Sequence, residues 1–211
     1  MQKKEGMKMA FAGVPERRAD MAFFPIMVDL CGKRVLIVGG GETAARKAAQ
    51  LQDFGAEIIV VAKELKAAFP KEASIIVRSF QSSDIEDNDS DIFLVIAATD
   101  DREVNQEVSG LSKKYRIPVN VVDDEPLCSF TFPAVLRDRD VVVSVSSGGK
   151  SPLVTQYVKN KIGEALPEHI GEINDEMGKL RKRIRASVPG QKERKQIYKE
   201  ELERLLKRDQ K

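Results

Sequence analysis

Three consecutive glycines, Gly39, Gly40 and Gly41, are the residues whose type and spacing most directly specify chemistry in this chain. They follow Arg34-Val35-Leu36-Ile37-Val38, a β-branched apolar run that reads as a buried strand. They precede an Ala-rich run of helix formers without proline, beginning at Glu42 and Thr43. The spacing Gly39-x-Gly41-x-x-Ala44 fits the strand–turn–helix fingerprint of a dinucleotide site. In that fingerprint Gly39 permits the tight turn, Gly41 lets a pyrophosphate approach the backbone, and Ala44 lets the helix lie close to the strand. The first N–H groups of the helix have no partner inside it and carry partial positive charge, which suits a phosphate. The alternative is an ordinary strand-to-helix turn that needs glycines for geometry alone.

Other polar residues sit where later strands should stop. A ribose-contacting acid normally lies ~20 residues beyond such glycines. Here the apolar run 58–62 is followed by Lys63 and Glu64. Glu64 falls slightly late for that role and Lys63 suits a 2′-phosphate, so this position leaves NAD against NADP open; both also read as a solvated loop. Ile92-Phe93-Leu94-Val95-Ile96-Ala97 is the strongest strand signal and should be central. Thr99 and Asp100 follow its carboxyl end, where open α/β sheets bind ligands. Asp100 or Asp101 would also cap the next helix, whose buried face carries Val104, Val108 and Leu111. A fifth strand over 118–122 ends in Asp123-Asp124-Glu125-Pro126. Further on, Ser147, Gly148, Gly149 and Lys150 precede Ser151 and Pro152, a helix cap and first helical position. Glycine N–H groups there can form an anion nest, with Lys150 adding charge; the alternative is a flexible loop.

The elements that must hold these residues follow from periodicity. The helix from Glu42 to about Phe54 turns Ala45, Ala48, Ala49 and Phe54 toward the sheet, and Gly55 stops it. With the strands on either side it makes one right-handed βαβ unit. Residues 75–77 make a third strand, and the acidic stretch 82–91 a short helix or loop. Alternation over 129–132 and a β run over 140–146 flank a turn at Arg137 to Asp140, a hairpin expected to pair across a dimer interface. The last sixty or so residues are helical, with rows Val154, Val158, Ile162 and Ile170, Ile173, Met177, Leu180, Ile184. After Pro189-Gly190, a charged helix turns Ile197, Tyr198, Leu202, Leu205 and Leu206 inward. The basic cluster Arg181, Lys182, Arg183, Arg185 reads as a solvated face or as a patch for a polyanion. Residues 23–30 form a short strand or packing arm, and residues before them a loose extension.

Composition bounds the partners. The chain has 211 residues, 42% hydrophobic and 32% charged, with net charge +2. That describes a globular chain with no global pull toward nucleic acid. No apolar run reaches the ~18 residues that suggest a membrane span, and no secretory signal is expected. Cys31 and Cys128 do not make a disulfide framework, so a cytoplasmic protein is expected. One histidine, His169, and no Cys-x-x-Cys argue against a conventional zinc site, and no resident metal is expected.

Taken together, Pro25-Ile26, Val38 to Lys47, Ala97 to Asp101, Asn120 to Asp123, Ser129 to Ala134 and Ser146 to Pro152 resemble the siroheme synthase dehydrogenase/chelatase family. The resemblance implies an α/β fold: a Rossmann-type parallel sheet over 22–124, a β dimerisation region over 125–151 and a helical module over 152–211, after the extension 1–21. It implies oxidation of precorrin-2 to sirohydrochlorin with NAD as acceptor, a homodimer, and for some members insertion of Fe2+ to give siroheme. The methyltransferase domain fused to some members is not expected here. The family's catalytic aspartate falls on Asp123, with Asp124 as the adjacent impostor. Its cofactor contacts fall on the glycine loop with Glu42 and Thr43, and on Lys63 and Glu64. Substrate carboxylates would meet Lys150, the nest from Ser147 to Gly149, Arg137 or the helical basic cluster. Two rival readings are a redox-sensing NAD(H)-binding module without catalysis, and a dehydrogenase for another small acid, which would lack its usual catalytic histidine or lysine.

Overall fold

In a computed structural model of the chain, residues 23–87 and 91–208 are described; the expected extension over 1–21 and part of the 82–91 stretch lie outside them. Five runs rich in Val, Ile and Leu form one parallel sheet: β1 (Arg34–Val38), β2 (Glu57–Ala62), β3 (Ser74–Val77), β4 (Ile92–Ala97) and β5 (Val119–Val121). Near-continuous apolar strands are what a sheet covered on both faces requires. The order is β3-β2-β1-β4-β5. β1 therefore holds the middle, and β4, expected to be central, lies one place out between β1 and β5. The register sets Val38 level with Val61 and Ala97, so these strands end on one edge.

Helices cover both faces. α1 (Glu42–Gln52) packs on one side with Ala44, Ala48 and Leu51 against Val35, Ile37, Ile58, Val60 and Ile96. α2 (Ser83–Glu86) and α3 (Arg102–Lys114) cover the other, with Ile85 and Val108 against Leu36, Val38, Val95 and Val121. Burying each such aliphatic side chain is worth about 1.5–3 kcal/mol. Ala49, expected to face the sheet, is exposed, because Ala44, Ala48 and Leu51 already fill the inward stripe. Gly55 takes φ +82 just past α1 and donates to the carbonyl of Gln52 at 2.8 Å, the expected stop.

The hairpin is β6 (Ala134–Asp138) with β7 (Val141–Val145), antiparallel. Residues 129–132 do not form its first arm, as their alternation suggested. They run as irregular chain, with Phe130 and Phe132 packed on the α1 face of the sheet. Three helices follow: α4 (Pro152–Ala165), α5 (Ile170–Ser187) and α6 (Gln191–Arg208). Ser151 caps α4 by accepting from Val154 N at 3.2 Å. The hairpin turn is fastened to α5: Asp138 accepts from Gly171 N at 2.6 Å, and Arg139 pairs with Glu172 and Asp175 at 2.7 Å each. Ile173, Leu180 and Leu205 are buried between α5 and α6, while Leu202 is exposed rather than inward. The basic cluster on α5 is exposed. α4 buries none of its residues, and residues 24–29 form no strand and are exposed.

Candidate functional site

The carboxyl edge of the sheet holds a cavity of about 300 Å³. It opens where β1 and β4 adjoin, the point at which chain order reverses and ligands bind in open α/β sheets. Its floor is the turn from Gly39 to Gly41. Gly39 has φ +134, and a Cβ there would collide with the carbonyl of Ala98. A Cβ on Gly40 would collide with the carbonyl of Glu64. A Cβ on Gly41 would meet nothing within 4 Å. So two glycines let three strand ends close on one another, and the third leaves its backbone open to the cavity at the start of α1. Among the described residues no side chain caps α1, which leaves its first N–H groups turned out at the cavity for an anion. These features fit a dinucleotide.

One wall comes from β2 and the chain after it: Lys63, Glu64 and Lys66. Lys66 N donates to the carbonyl of Gly40 at 2.8 Å, and its ammonium lies 2.9 Å from Glu64. That hydrogen bond and charge raise the Lys66 pKa. Ser79 and Phe80, just past β3, line the far side. The other wall is the loop after β4, with Thr99, Asp100 and Asp101. Asn105, buried in the first turn of α3, fixes that loop: its amide donates to Thr99 O at 2.9 Å, and its carbonyl oxygen accepts from Thr99 Oγ1 at 2.8 Å. Asp101, rather than Asp100, is the helix cap, accepting from Glu103 N and Val104 N.

Of the residues read as cofactor contacts, Gly39, Gly41, Lys63, Glu64, Thr99 and Asp100 line this cavity. Glu42 and Thr43 do not; they stand on the first turn of α1, Glu42 exposed and Thr43 half-buried. Lys66, Ser79, Phe80 and Asn105 were not foreseen. The rule that ligands gather at strand ends reaches Ser79 and Phe80, but nothing local marks Asn105.

A second polar region lies along the same edge, at the end of β5. Asp123 has φ +60 and is exposed. Asp124 is half-buried, with Oδ2 3.5 Å from Arg102 Nε. The Cys128 sulfur gathers this turn, accepting from Val121 N at 3.1 Å and donating to the carbonyls of Val121 and Asp124 at 3.2 and 3.4 Å. Burial pushes its thiol pKa up. The loop before α4 comes alongside: a Cβ on Gly149 would lie 3.4 Å from Glu125 Oε2. Gly148 and Gly149 both take positive φ, but not the αR–αL alternation of the expected anion nest, and its amides are used inside the loop: Gly148 N donates to Ser146 Oγ at 3.1 Å and Lys150 N to the carbonyl of Ser147 at 3.3 Å. Ser147 is committed within the loop, its hydroxyl accepting from Ser151 N and donating to Ser151 O. Lys150 is exposed. None of residues 147–150 lines the cavity. Arg137 does not belong to this region: its guanidinium stacks on Phe54 at 4.8 Å and donates to the carbonyl of Asp53, at the opposite end of α1.

Among the described residues, no helix is long and apolar enough to cross a membrane, and no three His, Cys, Asp or Glu side chains gather into a metal-sized group. A family model described as "Putative NAD(P)-binding" matches residues 26–134. Siroheme synthase of Photorhabdus laumondii is 38% identical over 186 residues, which cover 84% of this chain and 38% of that protein. Those of Methylococcus capsulatus and Nitrosospira multiformis are 38% and 39% identical, over 87% and 82% of this chain and 39% and 38% of theirs. The chain thus spans less than two-fifths of the length of these curated relatives. A solved structure named "SirC, precorrin-2 dehydrogenase" shares the fold, with a TM-score of 0.69 at 21% identity over 89% of this chain and 99% of that one. The glycine cradle, its position at the β1/β4 reversal and these matches agree: the chain belongs to the NAD(P)-binding family of that model and is homologous, over most of its length, to a segment of siroheme synthases.

Proposed function

We propose that this chain oxidises precorrin-2 to sirohydrochlorin with NAD+ as acceptor, and that Asp123 is its catalytic base. The observation that carries the reading is the contrast between adjacent acids at the end of β5. Asp124 is held by Arg102, whereas Asp123 stands exposed on a left-handed residue with no ion pair to a described residue. It lies on the edge that also carries the glycine cradle, so one substrate could reach both.

Removing two hydrogens from the macrocycle releases a hydride and a proton. NAD+ supplies the hydride acceptor when bound. The turn from Gly39 to Gly41 and the α1 amides hold its pyrophosphate, Lys63 and Glu64 approach its ribose, and Thr99 and Asp100 border it. The Asp123 carboxylate takes the proton, work that typically contributes 10²–10⁴-fold. The exposed Lys150 ammonium, on the loop of Gly148 and Gly149, receives a substrate carboxylate. Insertion of Fe2+ into the product to give siroheme is the second activity we assign: the Asp123 carboxylate, with no ion pair to a described residue, takes the two displaced pyrrole protons one at a time and passes each to solvent.

The working unit is a homodimer in the cytoplasm, divided as 22–124, 125–151 and 152–211. Leu153, Val154 and Tyr157 on α4 are 83%, 54% and 63% exposed, an apolar row that a second copy would cover. Sedimentation equilibrium at micromolar concentration should give twice the chain mass; a monomer would contradict it. Supplying precorrin-2 and NAD+ and following sirohydrochlorin by absorbance, then adding Fe2+, tests both activities. NAD(H) binding without turnover would instead support a sensing module.

A further inference from the structure

Lys47 is a partly buried charged side chain that this chemistry leaves unused. It lies in the second turn of α1, beside the buried Ala48, and is itself half-buried. Its ammonium sits 3.5 Å from the centre of the Phe132 ring. The charged or titratable groups that act on it among the described residues are Arg46, on its own helix, and Cys128, on the segment packed against that helix. Neither is a carboxylate. Burial first, and then Arg46, lowers its pKa to about 8. An ammonium stripped of water costs free energy unless an anion faces it. The ring face returns only about 0.5–2 kcal/mol.

Its surroundings point to the anion. Helical Cα–Cβ bonds tilt toward the helix N-terminus, so Lys47 leans toward the sheet edge where α1 begins. Phe132 follows β5 and the Asp123 turn in the chain. The segment carrying Phe132 is tied to the end of β5: Asn120 Nδ2 donates to the carbonyl of Phe130 at 3.1 Å, and Cys128 is bonded to the residues on both sides of Asp123, at Val121 N and Asp124 O. The α1 amides already provide for a pyrophosphate, so the cofactor does not need this amine.

We propose that the Lys47 ammonium receives one peripheral carboxylate of the tetrapyrrole and so holds the ring beside Asp123. This rests on the reading of the site as a precorrin-2 dehydrogenase. The Phe132 face keeps the cation in place before the ligand arrives, and the carboxylate then supplies the charge-assisted bond that water no longer makes.

The test uses the full chain with Lys47→Met and Lys47→Arg, titrated with sirohydrochlorin by absorbance without cofactor, and assayed with precorrin-2 and NAD+. Lys47→Met should weaken sirohydrochlorin binding and raise the precorrin-2 KM at least tenfold, with a smaller change in kcat and no change in NADH affinity. Lys47→Arg should recover most of the loss. In the unsubstituted protein, sirohydrochlorin affinity should fall as pH rises from 7 to 9. Arg46 stays charged and Cys128 stays protonated over most of that range, and the slope should vanish in Lys47→Met. Equal affinities in all three proteins, a loss of NADH binding instead, or arginine no better than methionine would overturn the assignment. Should Lys47→Met fail to fold, the arginine variant and the pH titration decide the matter. Sirohydrochlorin binding without precorrin-2 turnover would sink the dehydrogenase reading and leave Lys47 to be judged by titration; no binding at all would sink both.

Discussion

At the glycine turn, three strand ends lie backbone against backbone, and the cavity beside them is walled by β1, β2 and β4 of one chain. At the end of β5, by contrast, the polar residues are brought near one another by irregular chain, and the apolar row of neighbouring α4 is exposed. The first region is complete within the fold, because phosphate recognition needs only backbone amides and room. The second presents exposed polar side chains, and in the proposed homodimer a second copy would cover the apolar row beside it. Damage to the first should therefore be felt in folding or cofactor affinity, and damage to the second in turnover.

Gly39→Val gives the largest effect. A side chain there meets the Ala98 carbonyl at a backbone angle that valine avoids, so stability should drop by about 3 kcal/mol or more, read by urea unfolding. Gly41→Val sharpens the contrast. With open space around that position, the unfolding midpoint should hold while NADH affinity, read by fluorescence, falls more than tenfold. Equal losses of stability in the two variants would break the distinction between packing and recognition. Asn105→Ala comes next: it removes two hydrogen bonds from the half-buried Thr99 and should cost about 1–3 kcal/mol, with NADH affinity falling as well.

The last effect is a pH dependence of stability, spread over the interval between two pKa values. The folded pKa of Lys47 is about 8, below the ~10.4 of an unfolded lysine. Between those values the unfolded chain binds more protons, so this residue makes the unfolding free energy rise with pH. Its penalty is fully present below pH 8 and gone above the unfolded value. The stability of the unsubstituted protein minus that of Lys47→Met should grow between pH 8 and 10; a flat difference would show that the amine is well solvated.

The glycine turn was legible in the chain because its signal is local: strand, three glycines and helix run without a break from Arg34 to Gln52. The same locality made β2, β4 and the cap at Ser151 readable. What escaped depends on contacts between distant segments. The reason for Gly40 is the carbonyl of Glu64 on the next strand, and Asn105 matters through Thr99, six residues back and across a turn. The alternation over 129–132 suggested a strand, yet Phe130 and Phe132 pack against the α1 face while the ladder starts at Ala134. Arg137 suggested a substrate contact by charge alone, but the Phe54 ring and the Asp53 carbonyl take it to the far end of α1. Between the two acids at the end of β5, residue type alone does not choose; the family motif points to Asp123, and the structure adds a separation, since Asp124 pairs with Arg102.

That separation is where the account is most open to test. Asparagine tolerates the left-handed backbone at position 123, so Asp123→Asn removes the charge without forcing the turn. With precorrin-2 and NAD+, Asp123→Asn should lower NADH production at least a hundredfold while NADH affinity stays within twofold, and Asp124→Asn should retain most of its turnover. Undiminished turnover in Asp123→Asn, with Asp124→Asn inactive yet folded, would contradict it.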